Sequence, residues 1–314
     1  MKHAYLILAH KNWNQLMTLL TLLDDSRNDI YIHIDRRVAD VPWEQLRNTV
    51  QKAQIFFVKR LTSAWGDYSL VKAELQLLEE ATRSPHAYYH LLSGQDLPLK
   101  SQDEIHVFFG SKSEAEYVDI WKVPLDGPHT LDKRLRFYSF CRRWNGSLDK
   151  SGIAYLYLRR FQKLSVLIQK WIGISRIKGM EDQLFYGSQW FSITEAFAHY
   201  LLTQKAFIKK HFRWTVIPDE HFVQTVLMQS PFRDRVSPTP TRQINWQTGT
   251  LTLKNGHPSD FTAADYELLH SSDCLFARKF DETTDPEIIS MIVRDIHNCI
   301  HEEQITAETQ KNRK

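Results

Sequence analysis

The sequence predicts an α/β fold with a mostly parallel mixed sheet flanked by helices. In the first half of the chain, short apolar runs typical of buried strands alternate with amphipathic segments of helical spacing. This β-α-β order favours parallel strands joined by helical crossovers. A chain of 314 residues, 42% of them hydrophobic, can also bury one large core. We therefore expect a single domain over residues 1–305 and a frayed polar tail over residues 306–314.

The elements of the first half follow directly from this alternation. Ser101 and Glu104 form a capping-box pattern, which predicts that a helix begins there. The segments that follow two of the strands contain Asp35 and Asp96, and they should lie as loops at the carboxyl edge of the sheet, where such sheets bind ligands. We expect strands at residues 5–8, 30–34, 55–58 and 88–92, and helices at residues 13–23 and 68–81.

The second half is predicted to contain further helices and short strands. Pro218 and Asp219 suit a helix start, where a missing N–H and a capping carboxylate are both tolerated. The helix predicted at residues 153–172 is cationic and amphipathic, so it could lie on an anionic membrane or pack on the domain, and we favour packing. The other helices are expected at residues 195–202, 218–228 and 286–300, and strands at 187–193, 242–246 and 251–253.

Composition argues against several classes of function. A net charge of +3 is too small for a nucleic-acid-binding face. The three cysteines are widely spaced and form neither a zinc pattern nor a disulfide framework, so we expect a reducing cytoplasm. The apolar run at residues 4–9 is far shorter than the roughly 20 residues that span a bilayer, and it lacks the charged lead-in of a signal peptide.

Glu220 is the candidate general base. In the first turn of the predicted helix, backbone N–H groups favour an ionised carboxylate, which could take a proton from an attacking hydroxyl. Ordinary helix capping by Asp219 and Glu220 is the alternative, and these residues alone favour it. A glycoside hydrolase that pairs one of these acids with a second carboxylate is a further alternative.

Arg278 and Lys279 are candidate ligands of a diphosphate. The chain contains no Asp-X-Asp, a common clamp for magnesium or manganese. Arginine offers a planar fork of donors and lysine a compact charge, so this pair could neutralise a leaving diphosphate where other enzymes use a metal. A solvated basic pair at a strand edge is the alternative.

Several other residues carry weaker signals. Asp35 and Asp96 could accept hydrogen bonds from a ligand, although aspartate is also frequent in turns. His10 follows the first strand, where a structural role is the more common one. Trp190 and Trp246 could stack on sugar rings, although aromatic residues on strands more often belong to the core.

An ordered set of segments resembles one family. The segments are AYLILAH (residues 4–10), IHIDRR (32–37), WGDYSL (65–70), LLSGQDLPL (91–99), GSQWF (187–191), PDEHF (218–222), RQINW (242–246) and FARKF (276–280). In this order they are similar to the core-2/I-branching N-acetylglucosaminyltransferase and peptide O-xylosyltransferase family, and they span nearly the whole chain.

The resemblance implies a GT-A-type fold, a UDP-sugar donor, inversion at the anomeric carbon and no metal or other cofactor. It also implies that residues 1–110 bind the nucleotide and that residues 111–305 bind the acceptor and carry the catalytic base, Glu220. The implied donor-binding residues are His10, Asp35, Arg36, Trp65, Asp96, Arg278 and Lys279, and the implied acceptor-binding residues are Gln189, Trp190 and Trp246.

We expect a bacterial member that moves a sugar, with N-acetylglucosamine as the first candidate, to a hydroxyl of a glycan or lipid-linked glycan in surface polysaccharide synthesis. It would act in the cytoplasm, at the inner face of the membrane if the cationic helix docks there. Xylosyltransferases of the family tend to carry Asp where this chain has Gln189, which argues against xylose. Transfer of xylose or glucose stays open, and so does a catalytically silent sugar-binding protein of the same fold.

Overall fold

The computed structural model describes residues 1–111, 114–123, 130, 134–145, 152–246 and 258–311. Its strands are β1 (His3–Ala9), β2 (Asn28–Ile34), β3 (Gln54–Phe57), β4 (Tyr88–Ser93), β5 (Asp96–Pro98), β6 (Tyr117–Val118), β7 (Trp121–Lys122), β8 (Phe185–Tyr186), β9 (Phe191–Thr194), β10 (Arg242–Ile244) and β11 (Phe276–Arg278). Its α-helices are α1 (Trp13–Leu22), α2 (Trp43–Thr49), α3 (Tyr68–Ala81), α4 (Gln102–Ser111), α5 (Arg142–Asn145), α6 (Ile153–Trp171), α7 (Glu195–Thr203), α8 (Lys205–Phe212), α9 (Phe222–Met228), α10 (Tyr266–His270) and α11 (Pro286–Lys311).

Within these residues the main sheet has the order β3-β2-β1-β4-β9-β6. The first four strands in this order run parallel, while β9 is antiparallel to both β4 and β6. The predicted mixed α/β class with a mostly parallel sheet is therefore confirmed. Because β9 pairs directly with β4, the second half of the chain completes the sheet that the first half begins.

The alternation of side chains along β1 explains why helices cover both faces of the sheet. Tyr5 and Ile7 point to one face, where they join a buried cluster with residues of α1, including Leu16. Leu6 points to the other face and joins a second cluster with residues of α3, including Leu78. A strand with both faces buried reads as a continuous apolar run, which is why β1, β2 and β4 are visible in the sequence.

A smaller sheet lies beside the main one and has the order β10-β11-β5. Strand β11 runs parallel to β10 and antiparallel to β5, with Arg278 directly opposite Asp96. Asp96 was expected in a loop, and that expectation is wrong. The segment is extended because it pairs with β11, a partner from the far end of the chain, which the local sequence does not indicate.

Two helices also differ from the prediction. The segment expected as one helix at 218–228 is a 3₁₀ turn, Pro218–Glu220, followed by α9, because His221 (φ −133°, ψ −34°) leaves the helical conformation. Helix α11 continues to Lys311, through most of the tail that we expected to be frayed. Residues 301–311 contain neither Gly nor Pro and are rich in helix-favouring Glu, Gln and Ala, so the sequence supplies no stop signal.

Helix α6 was expected to pack its apolar face on the domain, and that expectation is wrong. The helix forms as predicted, but the apolar side chains Leu164, Leu167 and Trp171 are 57%, 62% and 87% exposed.

Among the helices described, none is both long and apolar enough to cross a bilayer. The strand predicted at residues 251–253 lies outside the described residues.

Candidate functional site

A cavity of about 290 Å³ lies at the carboxyl ends of the parallel strands. This is the edge at which open α/β sheets bind ligands, and the volume is at the lower end of the range for small-molecule sites. Six residues predicted from the sequence line it, namely His10, Asp35, Trp65, Gln189, Trp190 and Arg278. The strand ends therefore meet in one site, as the parallel topology predicts.

Asp35 organises the loops on the β2 side of the cavity. It is 4% exposed, and it accepts hydrogen bonds from the backbone N (2.8 Å) and Nε (3.0 Å) of Arg37 and from the backbone N (2.9 Å) and Oγ (2.8 Å) of Ser63. Burial alone would raise the pKa of Asp35, but these hydrogen bonds outweigh it and hold the pKa below its ordinary value. With its lone pairs engaged by the protein, Asp35 orients Arg37 towards the cavity.

The neighbouring arginines of this loop have different positions. Arg37 lines the cavity, and its guanidinium is fixed by Asp35. Arg36, which was predicted to bind the donor, is exposed and does not line the cavity; its backbone N donates to the Leu61 carbonyl at 3.0 Å. The cation that faces the cavity is therefore one residue further along the chain, at a position that the resemblance did not assign.

Arg278 is held rigidly on the opposite wall. Its Nη1 donates to Asp96 Oδ1 and to Ser93 Oγ, both at 2.5 Å, and its Cζ lies 4.0 Å from the centroid of the Trp190 ring. Asp96 is 2% exposed and does not line the cavity, so it contributes by positioning Arg278. The three predicted residues Asp96, Trp190 and Arg278 thus form one structural unit.

Lys279 does not share the cavity with Arg278. Its ammonium group lies 3.2 Å from Asp260 Oδ1, and it does not line the cavity. Trp246 is 56% exposed and is also outside the cavity wall. The structure therefore separates the two adjacent cations.

Glu220 lies beside the cavity and is anchored by an ion pair. Its Oε2 accepts a hydrogen bond from Arg134 Nη1 at 2.6 Å, and 29% of its side chain is exposed. Its carbonyl accepts a hydrogen bond from the backbone N of Gly187 at 2.9 Å, two residues before Gln189 on the cavity wall. The carboxylate is accessible and oriented, although it is not part of the cavity lining itself.

Two buried carboxyl groups, Glu74 and Asp219, lie between Gln189 and this acid, and Glu74 was not predicted from the sequence. Gln189 Nε2 donates to Glu74 Oε1 at 2.7 Å, and burial, reinforced by the charge of Asp219, raises the pKa of Glu74. Burial and then the charge of Glu220 raise the pKa of Asp219 to about 7. Glu74 occupies the apolar stripe of α3 between Val71 and Leu78. A single carboxylate within an apolar helical stripe is the sequence feature that could have identified Glu74 as a candidate site residue.

Comparison with known proteins places the chain in a family. It is 24% identical over 319 residues to xylosyltransferase 2 of Rattus norvegicus, covering 94% of this chain and 33% of that protein. It is also 24% identical over 314 residues to xylosyltransferase 1 of Homo sapiens, covering 92% of this chain and 30% of that protein. The chain thus spans about a third of the length of these relatives.

Similarity to solved structures is weak. Mouse xyloside xylosyltransferase 1 in its apo form gives a TM-score of 0.36 at 10% identity, over 88% of this chain and 97% of that one. Core-mannan synthase A from Aspergillus fumigatus gives a TM-score of 0.32 at 11% identity, over 74% of this chain and 71% of that one.

The family model described as "Core-2/I-Branching enzyme" matches residues 3–135 and 159–270. The chain therefore belongs to the Core-2/I-branching enzyme family.

Proposed function

We propose that this chain is an inverting glycosyltransferase that uses a UDP-sugar, on a fold of the GT-A type. The observation that carries the proposal is the fixed guanidinium of Arg278 at the carboxyl edge of the sheet, between Asp96 and Trp190. Arg37 faces the same cavity from the β2 side. Two arginines on opposite walls suit a diphosphate, because guanidinium groups bind phosphoryl oxygens in a planar, bidentate manner.

The proposed reaction is a single displacement at the anomeric carbon. The acceptor hydroxyl oxygen attacks C1 of the donor sugar while the bond from C1 to the β-phosphate oxygen breaks. UDP leaves with the electron pair of that bond, and its negative charge is stabilised by Arg278 and Arg37. The hydroxyl proton passes to Glu220. Attack from the face opposite the leaving group inverts the configuration.

Glu220 is the proposed general base because its carboxylate is accessible to solvent beside the cavity. Arg134 orients it, whereas its neighbour Asp219 is only 2% exposed and too deeply buried to reach an acceptor. Gln189 and Trp190 are proposed to contact the acceptor or the donor sugar, since both line the cavity. His10 and Trp65 are proposed to contact the donor from the other side. Arg36, Lys279 and Trp246 do not line the cavity, so we propose no direct contact between these residues and the donor.

N-acetylglucosamine is the proposed donor sugar, and a glycan or lipid-linked glycan of a bacterial surface polysaccharide is the proposed acceptor. Xylose is the second candidate, since the similar proteins from Rattus norvegicus and Homo sapiens are named xylosyltransferases. We further propose that no metal is required, because the fixed guanidinium groups of Arg278 and Arg37 can donate hydrogen bonds to the phosphoryl oxygens of a diphosphate.

A thermal-shift panel tests nucleotide dependence and sugar preference together. A ligand that binds only the folded protein raises its Tm by mass action. UDP, UDP-N-acetylglucosamine, UDP-xylose and UDP-glucose would be compared with GDP and with the free sugars. We expect a shift with UDP and a larger one with the true donor. A shift with free sugars and none with UDP would favour a hydrolase or a sugar-binding protein. Slow hydrolysis of the stabilising UDP-sugar in water would exclude a silent protein.

A further inference from the structure

Helix α6 presents an apolar face to solvent. We call the side chains Ile153, Tyr157, Phe161, Leu164, Ile168 and Trp171 the α6 stripe; they recur at helical spacing on one side of the helix. Their exposed fractions are 72%, 66%, 50%, 57%, 48% and 87%. Contiguous apolar side chains on the surface mark a binding surface more often than isolated ones do.

The opposite side of α6 holds the helix to the domain and is mixed, because half-buried Tyr155, Leu158 and Val166 lie there beside two glutamines. Gln162 Nε2 donates to the Phe140 carbonyl at 3.0 Å, and Gln169 Nε2 donates to the Tyr138 carbonyl at 3.0 Å. Gln169 also accepts from the Tyr138 backbone N at 2.7 Å and is only 5% exposed. These hydrogen bonds fix α6 on the domain with the α6 stripe facing solvent.

The charge around the α6 stripe has one sign. Residues 151–180 contain no Asp and no Glu, but they contain Arg159, Arg160, Lys163, Lys170, Arg176 and Lys178. By helical spacing Arg159, Lys163 and Lys170 share one side of α6, next to the stripe, and all three are exposed. Such a cationic margin is complementary to an anionic surface.

We propose that α6 docks the protein on the surface of an anionic lipid bilayer, with the helix parallel to the membrane plane. The stripe would enter the interfacial region, where Trp and Tyr side chains are favoured, and the cations would contact lipid phosphates. The helix lies on the bilayer and does not cross it, since none of the described helices is apolar enough to span it. This proposal rests on α6 alone and stands whether or not the chain transfers sugars.

Vesicle flotation tests the proposal. The chain would be mixed with vesicles of phosphatidylcholine alone or of phosphatidylcholine with phosphatidylglycerol. We expect flotation with the anionic vesicles, weaker flotation as salt is raised, and little with phosphatidylcholine alone. No flotation with anionic vesicles would overturn the proposal. Equal flotation at all salt concentrations and with both lipids would contradict the role of the cations.

Two double variants, each with a matched control, separate the apolar and the cationic contributions. Leu164→Gln with Ile168→Gln, which removes apolar surface without adding charge, should abolish flotation, whereas Leu268→Gln on α10, which alters a side chain that is also 48% exposed, should not. Arg159→Gln with Lys163→Gln should weaken binding at least about tenfold, because each contact of Lys or Arg with an anionic surface contributes about fivefold.

The control for the cationic variant is Lys209→Gln with Lys210→Gln, two exposed cations at the end of α8. Each variant should keep the Tm of the wild type, since the altered side chains are exposed. Equal loss in a variant and its control would overturn the assignment to α6. If the stripe variants instead converted a dimer to a monomer without changing flotation, the stripe would be an interface between copies of this chain, and the membrane proposal would be wrong.

Discussion

The guanidinium of Arg278 is fixed between the carboxylate of Asp96 and the indole of Trp190. Nη1 lies 2.5 Å from Asp96 Oδ1, and Cζ lies 4.0 Å from the centroid of the Trp190 ring. Asp96 is 2% exposed and Trp190 8%, so both neighbours are held by packing. The cation is therefore in place before a ligand arrives, and binding does not have to order a flexible side chain.

Asp96→Asn should weaken UDP binding about tenfold or more. The variant removes the carboxylate charge and leaves only a weaker hydrogen bond from the guanidinium to an amide oxygen, so Arg278 can then leave its position. Isothermal titration calorimetry with UDP measures the effect. Asp260→Asn, which alters the partner of Lys279 outside the cavity, is the matched control and should change the affinity less than threefold. Equal effects of the two variants would contradict the positioning role of Asp96.

Arg37 and Arg36 offer a comparison within one loop. Arg37→Gln should weaken UDP binding about tenfold, because Arg37 is fixed by Asp35 and lines the cavity. Arg36→Gln should leave the affinity within about twofold, since Arg36, although exposed like Arg37, does not line the cavity. The same titration reports both. A larger loss with Arg36→Gln would mean that the loop rearranges on binding and that Arg36 binds the donor, as the family resemblance implies.

Glu220→Gln should lower kcat at least about a hundredfold while UDP affinity stays unchanged. Loss of a general base typically costs two to four orders of magnitude, whereas the Gln oxygen can still accept the hydrogen bond from Arg134. UDP release with an accepted sugar donor and acceptor measures kcat, and titration with UDP measures affinity. Unchanged turnover would remove Glu220 from the role of base, and a parallel loss of affinity would assign it to donor binding instead.

Asp219 predicts a pH dependence of stability. Burial and the charge of Glu220 raise its pKa from 3.8 to about 7. Between these values the folded state holds a proton that the unfolded state has released, so the contribution of Asp219 to stability falls as pH rises from about 4 to about 7. In Asp219→Asn this loss is absent. Its free energy of unfolding relative to wild type should therefore rise by at least about 2 kcal/mol between about pH 4 and pH 8. Urea unfolding at several pH values measures the difference; a constant difference would show that Asp219 is ionised throughout.

Much of the fold could be predicted because the strands are buried on both faces. A short, continuous apolar run such as Ile30–Ile34 is typical of a strand buried on both faces. Parallel strands bring their carboxyl ends to one edge of the sheet. His10 and Asp35 consequently line a single cavity, as expected. The existence and location of the site follow from the sheet topology, and the sequence pattern predicts that topology.

The positions of individual side chains could not be predicted in the same way. Asp96 belongs to a strand only because β11, about 180 residues later, pairs with it. The ion pair of Glu220 with Arg134 joins residues 86 positions apart and leaves no local signal. The separation of Arg278 from Lys279 was not predicted either, because it depends on Asp96 and Asp260, two partners distant in sequence from the pair.

The most direct test of the central claim is the titration of the protein with UDP in EDTA, for the wild type, Arg278→Gln and Lys279→Gln. We predict that the wild type binds UDP without a divalent metal, that Arg278→Gln loses at least about a hundredfold in affinity, and that Lys279→Gln loses much less, because Lys279 pairs with Asp260 outside the cavity. UDP binding that appears only when Mn²⁺ is added, or that survives Arg278→Gln unchanged, would contradict the account.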